Sequence, residues 1–176
     1  MYEYGICRKI DGMGRLVIPK EIRDRYNIKE NDYLEFYLIE DGFNIKKHSK
    51  LGRVKQLTQE LTDIINQFLN AEVLIAERDK ILAYSGNKKD EFLDKEISNE
   101  LFKSINRRES LFEAYKKDLK LVKDSVINCS YINETIVSNC EEVGIICLFR
   151  EDRSVDETDL KVIKIVSSFL TKYLEE

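Results

Sequence analysis

The fold of the first fifty residues depends on residues 5–19, whose sequence is GICRKIDGMGRLVIP. Two runs rich in apolar and β-branched residues, 4–10 and 15–18, flank an Asp-Gly-Met-Gly turn in which both glycines can take positive φ. Pro19 stops the second strand and suits the first turn of a helix, because the N–H that proline lacks needs no partner there. The stretch therefore predicts strand, turn, strand and the start of a helix.

The next thirty residues predict a short helix and a β-hairpin. The helix covers residues 20–26, and Asn27 can adopt the left-handed conformation that ends it. Residues 33–40 alternate between apolar and polar, and Asp41-Gly42 forms a tight turn before 43–46 return. Four short strands and two helical turns cannot bury enough apolar surface alone. We therefore predict a homodimer with a shared core, which also presents two copies of each basic loop to two-fold DNA.

Charge is distributed unevenly along the chain. The net charge of the whole chain is −4, yet residues 1–50 hold ten Lys and Arg against nine Asp and Glu. Within residues 8–25 the ratio is six basic to three acidic. Screening confines charge effects to about 8–10 Å, so a phosphate backbone would respond to this local excess. Residues 8–25 are therefore the candidate DNA-binding segment.

The basic residues of this segment can be sorted by their expected partners. Lys20 precedes Asp24 by four residues and Glu21 precedes Arg25 by four, so both cations have an acidic partner on the predicted helix. Arg23 has none and is the helix cation most available to a phosphate or a base edge. Ordinary surface charge explains Lys20 and Arg25, which stay as additional candidates for DNA contact. Three more basic residues flank the glycine turn: Arg8, Lys9 and Arg15.

Residues 5–11, 14–19 and 21–23 together resemble the swapped-hairpin, AbrB-like family of bacterial transition-state regulators. The resemblance implies a domain-swapped dimer whose interleaved β-strands present loop arginines to double-stranded DNA. In this family a second arginine often follows the one matched by Arg23, and Asp24 occupies that position here, which bears on affinity and site preference. The family's DNA contacts carry over to Arg8, Lys9, Arg15 and Arg23.

Other residue types argue against several classes of protein. No apolar run approaches the roughly 20 residues that span a bilayer, and the N-terminus lacks the basic and apolar regions of a signal peptide. The four cysteines form no CxxC pair, and His48 is the only histidine, so we predict reduced thiols rather than a disulfide framework or a zinc site. We expect a cytoplasmic protein with no membrane partner, no metal, no cofactor and no catalytic residues.

Residues 51–70 predict a helix with a two-heptad apolar seam. Two further residues, Ile65 and Leu69, widen the seam toward a core. The width of the apolar face fits a helix that packs on its own domain, and it also fits a dimer helix that joins the DNA-binding halves to the rest. We predict both roles. The seam residues are Val54, Leu57, Leu61, Ile64 and Phe68.

Residues 71–176 predict alternating strands and helices. Residues 73–77 and 81–84 form a hairpin, and apolar residues at i, i+4 spacing predict one helix from 89 to about 107. Residues 154–157 offer a capping start for a closing amphipathic helix whose apolar face includes Leu160, Ile163, Val166, Phe169 and Leu170. Further strands are expected at 119–122, 126–132, 135–137 and 144–149, the last a continuous apolar run typical of a central strand.

This order of elements resembles a GAF-type sensor domain. The predicted fold class is α+β, with an N-terminal domain-swapped β-hairpin dimerisation domain (1–50), a linking and dimerisation helix (51–70) and an α/β GAF-like sensor domain (71–176) around a central antiparallel sheet. GAF domains hold small ligands between the sheet and its covering loops, but the sequence identifies no ligand. Three residues could line such a pocket, although core packing explains each more simply: Tyr84, Cys129 and Tyr131.

Over its full length, the combination resembles a family of regulators from spore-forming Firmicutes. The resemblance implies a homotetramer, or dimer of dimers, that activates and represses late sporulation genes and responds to an unidentified signal. One alternative is an antitoxin with the same swapped hairpin, although such proteins carry a disordered acidic tail where this chain has periodic apolar residues. A GAF-like enzyme is the other alternative, which the lack of a Cys-His pair and of a cofactor loop argues against.

Overall fold

The computed structural model describes residues 5–30 and 32–175, and the chain divides into two compact units, Met1–His48 and Ser49–Glu176. The N-terminal unit contains the helix α1 (Lys20–Arg25) and a hairpin of β1 (Leu34–Ile39) and β2 (Gly42–Lys47). The hairpin is antiparallel and closes at the predicted Asp-Gly turn. Asn27 follows α1 with a φ of 49°, as the sequence predicts.

The two strands that were expected before Pro19 do not form within one chain. The described part of 4–10 and all of 15–18 have no strand assignment. Among the described residues, the backbone bonds within this stretch are those of the turn, from Asp11 N–H to Arg15 O and from Gly14 N–H to Asp11 O. A strand needs a partner to complete its ladder, and the described residues of this single chain supply none to residues 5–18.

The N-terminal unit has almost no interior of its own. Pro19 is the single buried residue among the described residues up to His48. Large apolar side chains are instead exposed, with Leu38 at 90% and Val17 at 75%. A cavity of about 640 Å³ with mainly apolar walls separates residues 16–19 and α1 from β2. One copy of this unit therefore leaves most of its apolar surface in contact with water.

The C-terminal unit is built on a five-stranded antiparallel sheet with the strand order β4-β3-β7-β6-β5. The helix α2 (Lys50–Arg53) opens the unit, and Leu51 of this helix is fully buried. The remaining elements are α3 (Lys55–Leu69), β3 (Glu72–Ala76), β4 (Ile81–Ser85), α4 (Lys89–Phe92), α5 (Asn99–Asn106), β5 (Ser110–Leu119), β6 (Ile127–Ser138), β7 (Glu141–Arg150) and α6 (Glu157–Tyr173).

Each face of this sheet supports its own hydrophobic core. The helices α4 and α5 cover one face, where Tyr84, Phe92 and Phe149 pack together. The first and last long helices, α3 and α6, cover the other face, where Ile65 and Ile163 are buried. Asp156 caps α6 in a reciprocal capping box with Asp159, which satisfies two backbone N–H groups at the start of that helix. The central antiparallel sheet and the α+β class agree with the sequence prediction.

Several element predictions for this unit were wrong. The single helix expected over 89–107 is two short helices, because Asp94 adopts a φ of 61° and Ile97 forms a bridge to Val122. The segments 126–132 and 135–137 are one continuous strand, β6. Residues 119–122 are mainly irregular, and the edge strand β5 lies before them.

The apolar seam of residues 51–70 divides between core and solvent. Thr58, Thr62 and Ile65 form the buried side of α3. Two predicted seam residues, Ile64 and Phe68, are 51% and 80% exposed. The helix therefore packs on its own sheet through one face and leaves an apolar strip uncovered on another. The helix α6 also carries exposed apolar residues: Ile165, Phe169 and Tyr173.

Candidate nucleic-acid interface

The turn at residues 11–15 is organised by the carboxylate of Asp11. Its Oδ1 accepts hydrogen bonds from the backbone N–H groups of Met13 and Arg15, both at 2.9 Å. Gly14 has a φ of 79°, which the absence of a side chain allows at little cost. The backbone N–H of Arg15, followed by its guanidinium, lowers the pKa of Asp11 below its ordinary value. The carboxylate therefore stays ionised well into acidic solution.

The same carboxylate holds the side chain of Arg15. Asp11 Oδ2 lies 2.7 Å from Arg15 Nε, and the Arg15 side chain is 72% exposed. The two terminal nitrogens of this guanidinium have no partner among the described residues. Arg15 is therefore oriented through Nε and keeps two donor groups for a phosphate or a base edge. From the sequence, Asp11 was assigned to the turn and counted as a negative charge, and its contact with Arg15 was not predicted, although an aspartate that begins such a turn is typical of an Asx turn.

The other three main candidates are also exposed. Arg8 donates from Nη1 to the carbonyl of the preceding residue, Cys7, at 3.0 Å. Lys9 and the side chain of Arg23 make no hydrogen bond or ion pair with any described residue. Arg8, Lys9 and Arg15 lie on both sides of the turn, and Arg23 lies on α1. Their side chains are cationic donors without acceptor groups, which suits phosphate oxygens.

The helix ion pairs that the sequence predicts do not form in the described part of the chain. Neither Lys20 with Asp24 nor Glu21 with Arg25 is paired, and all four are exposed. The guanidinium of Arg25 lies 5.9 Å from the ring centre of Tyr26. An exposed pair on a helix of six residues contributes little free energy, so its absence costs little. Asp24 therefore does not neutralise Lys20, which stays a candidate for DNA contact.

In the C-terminal unit, the three pocket candidates differ in their surroundings. Tyr84 is 1% exposed and hydrogen-bonds to Glu72, and burial raises its pKa. Cys129 is fully buried, and burial raises its pKa to about 12, so it stays a thiol. Tyr131 lines a cavity beside α5. Core packing therefore accounts for Tyr84 and Cys129.

Residues 5–30 and 32–175 lack the features of two other classes of site. No group of three or more His, Cys, Asp or Glu side chains is arranged to hold a metal ion. No helix in these ranges is both long and apolar enough to cross a membrane.

Comparison with known families gives two matches that together cover most of the chain. Residues 53–175 match the model described as stage V sporulation protein T C-terminal, transcription factor. Residues 8–51 match the model described as antidote-toxin recognition MazE, bacterial antitoxin. The second match contains the Asp11 turn and all six basic candidates.

Individual relatives agree with this division. The chain is 36% identical over 175 residues to stage V sporulation protein T of Bacillus subtilis strain 168, with 98% of each chain covered. It is 41% identical over 63 residues to the transition state regulatory protein AbrB of that strain, which covers 36% of this chain and 65% of AbrB. Among solved structures, a GAF domain region from Geobacter sulfurreducens PCA superimposes with a TM-score of 0.55 at 14% identity, covering 72% of this chain and 95% of that one. At that identity the likeness shows the fold alone.

Proposed function

The chain belongs to the family described as stage V sporulation protein T C-terminal, transcription factor, and we propose that it is a DNA-binding regulator that activates and represses late sporulation genes. Residues 1–50 bind double-stranded DNA, residues 51–70 link and dimerise, and residues 71–176 form a GAF-like domain that senses a small molecule or another signal. The protein acts in the cytoplasm, where bacterial promoters are found. No catalytic role is proposed.

The observation that carries this proposal is the turn in which Asp11 fixes the backbone and orients the guanidinium of Arg15. An arginine held in place before binding loses less side-chain entropy when it meets a phosphate. Arg8, Lys9 and Arg23 add exposed positive charge, with Lys20 and Arg25 as further contacts. We expect these groups to neutralise phosphates first and then to select sites through groove shape and DNA deformability.

A second copy of the chain completes the N-terminal domain in this proposal. The apolar groove beside residues 16–19 and the exposed hairpin residues, with Leu38 at 90%, are surfaces that one copy leaves in water. Strands from a second copy would supply the ladder that residues 5–18 lack and would cover that groove. Two copies related by two-fold symmetry also place each Arg15 loop to match the symmetry of a DNA duplex.

We also propose that two such dimers join through the C-terminal units to give a homotetramer. The outer faces of α3 and α6 supply an apolar surface for this contact, with Phe68 at 80% and Ile165 at 67% exposure. Phe169 and Tyr173 lie next to each other on α6, with ring centres 5.8 Å apart. Contiguous apolar patches of this kind are typical of interaction sites.

The experiment that tests DNA binding is fluorescence anisotropy on promoter-length duplexes over a series of salt concentrations. Arg15→Ala and Arg23→Ala are compared with the wild-type chain and with Arg107→Ala, whose side chain is 71% exposed in the C-terminal unit. Each lost phosphate contact should flatten the logarithmic salt dependence by about 0.9. A dimer loses one contact per protomer, so each N-terminal variant should weaken binding on all sequences, whereas Arg107→Ala should bind as the wild type does.

The opposite result would contradict the proposal. If the wild-type chain shows no salt-dependent binding, or if Arg107→Ala weakens it as much as the N-terminal variants do, the N-terminal unit does not bind DNA through its turn. Arg15→Lys separates charge from orientation, because lysine keeps the charge but lacks the Nε–H that Asp11 holds. We expect Arg15→Lys to bind more weakly than the wild type and more tightly than Arg15→Ala.

An antitoxin is the second candidate, and the match of residues 8–51 to the MazE antitoxin model favours it. In such proteins an acidic tail neutralises the toxin, whereas residues 49–175 here form a sheet with a core on each face. The two functions differ in a direct assay. Inhibition of a toxin encoded next to this gene by the purified chain would support the antitoxin, and no such inhibition is expected.

A further inference from the structure

A cavity of about 330 Å³ lies in the C-terminal unit between α5 and the strands β5 and β6. Leu101 of α5 and Leu111 and Leu119 of β5 supply its apolar surface. Leu101 and Leu119 are almost fully buried, so this part of the cavity is shielded from solvent. The volume is within the range of pockets that bind small molecules.

Asn133 of β6 adds an amide to this surface, which also includes the polar side chains of Ser104 and Tyr131. The residue lines the cavity and is only 2% exposed. Its Oδ1 is buried and has no hydrogen-bond partner among the described residues. A buried acceptor without a partner is unfavourable to folding. A half-turn of the amide about the Cβ–Cγ bond would exchange Oδ1 with Nδ2 and bring the oxygen to the cavity, where an N–H group of a ligand would satisfy it.

Charged side chains surround the solvent-exposed side of the cavity. Glu100, Asp118 and Lys120 line it and are exposed. Lys120 Nζ lies 3.2 Å from Glu100 Oε1, and Asp118 Oδ1 accepts a hydrogen bond from Asn128 Nδ2 at 2.8 Å. Two carboxylates and one ammonium leave a net charge of about −1 here, which favours a cationic group over an anionic one.

We propose that this cavity binds a small aliphatic compound with a primary ammonium group. The ammonium donates to Asn133 and compensates the excess negative charge, while the aliphatic chain contacts the three leucines. The inference rests on the proposed sensor role of the C-terminal domain and names its ligand class. Alkylamines and zwitterionic amino acids share this chemistry, and Lys120 offers a partner to the carboxylate that only the amino acids carry.

Isothermal titration calorimetry of the full chain tests the proposal. The probes are n-butylammonium, L-norleucine and, as the uncharged control, butan-1-ol, each titrated through the millimolar range. We expect a saturable heat from at least one ammonium probe and none from the alcohol. A response to norleucine alone identifies the zwitterion as the source, and a response to butylammonium alone identifies the amine. No saturable heat from either ammonium probe, or equal binding of the alcohol, overturns the proposal.

Variants of the chain test whether the measured heat comes from binding in this cavity. Asn133→Leu replaces the amide oxygen and nitrogen with two methyl groups and keeps the branching at Cγ, and we expect it to bind at least tenfold more weakly. Its Tm without ligand should be unchanged or higher, because an unpartnered buried oxygen has been removed. The exposed Asn106→Leu is the control and should bind as the wild type does. A lower Tm for Asn133→Leu with binding retained would assign the asparagine to folding alone.

A second variant keeps the test decisive if Asn133→Leu fails to fold. Leu111→Trp fills the cavity from the edge strand β5 and should abolish the heat; retained binding in this variant places the probe elsewhere and overturns the proposal. DNA anisotropy is measured separately on the same preparations. If the chain binds DNA but no ammonium probe, the result contradicts only this inference and leaves the proposed regulatory function in place.

Discussion

Arg150 and Asp159 form an ion pair inside the C-terminal unit, where their side chains are 3% and 2% exposed. The pair involves Arg150 Nη1, and Nη2 also donates to the carbonyl of Leu69 at 2.6 Å. Asp159→Asn should lower the free energy of unfolding by about 3–5 kcal/mol, because it leaves a buried guanidinium without a counter-charge. Urea unfolding followed by circular dichroism, at one protein concentration, measures this change.

Two further variants distinguish a buried charge from a general effect of the substitution. Asp94→Asn makes the same chemical change in a pair with Lys55 whose side chains are about half exposed, and it should change the free energy of unfolding by less than about 1 kcal/mol. Arg150→Met combined with Asp159→Leu removes both charges and should recover much of the loss. Equal losses for Asp159→Asn and Asp94→Asn would show that burial of this pair is energetically unimportant.

The contacts of a single residue could be predicted from the sequence only where they depend on its near neighbours in the chain. Arg8, Arg15 and Arg23 were chosen from the sequence by residue type and by their positions around the turn and on the helix, and all three are exposed in the structure. The contact of Asp11 with Arg15 could have been predicted, because it depends on five consecutive residues and a known type of turn. The Arg150–Asp159 pair and the unpartnered amide oxygen of Asn133 could not be predicted. Each depends on packing between elements, and that packing produces no periodic pattern in the sequence.

Strands were predictable from the sequence where they form short, continuous apolar runs. The hairpin of β3 and β4 and the central strand β7 are rich in buried apolar residues and were identified. The edge strand β5 is largely exposed and carries several charged residues, so its alternation was missed. The break between α4 and α5 was hidden by apolar residues that keep helical spacing. It is marked by Ser98, whose Oγ accepts a hydrogen bond from Leu101 N–H at 3.0 Å.

The close approach of β7 to β3 and α2 depends on Gly144. A Cβ added at this glycine would lie 2.3 Å from the carbonyl oxygen of Ala76 and 2.5 Å from Leu51 Cδ1. Gly144→Ala should therefore lower the free energy of unfolding by about 1–3 kcal/mol, because backbone in a paired strand cannot move aside without loss of hydrogen bonds. Thermal unfolding of the two variants Gly144→Ala and Gly12→Ala provides the measurement. At Gly12 the added Cβ meets nothing within 4 Å, and similar Tm values for both variants would contradict this account.

In each of its two units, a single chain leaves apolar surface exposed to solvent. In the N-terminal unit most of the apolar side chains among the described residues are exposed and the others, apart from Pro19, are only partly buried, so we expect that unit to fold only as a dimer. The C-terminal unit has two complete cores, and its exposed apolar residues lie on the outer faces of α3 and α6, on the edge strand β5 (Phe112 and Tyr115) and at Val126. Association of the C-terminal units should therefore be separable from their folding.

Phe68→Asp tests this separation. Phe68 is 80% exposed on α3, so an aspartate there costs the folded unit little but places a charge in the proposed contact between dimers. We expect sedimentation velocity to change from a tetramer to a dimer, while circular dichroism and salt-dependent binding to a single DNA site are retained. Gln67→Asp adds the same charge at the neighbouring exposed position on this helix and should leave the tetramer intact. A tetramer that survives Phe68→Asp would mean that the dimers join elsewhere, and a monomer would mean that the N-terminal units do not hold the dimer together.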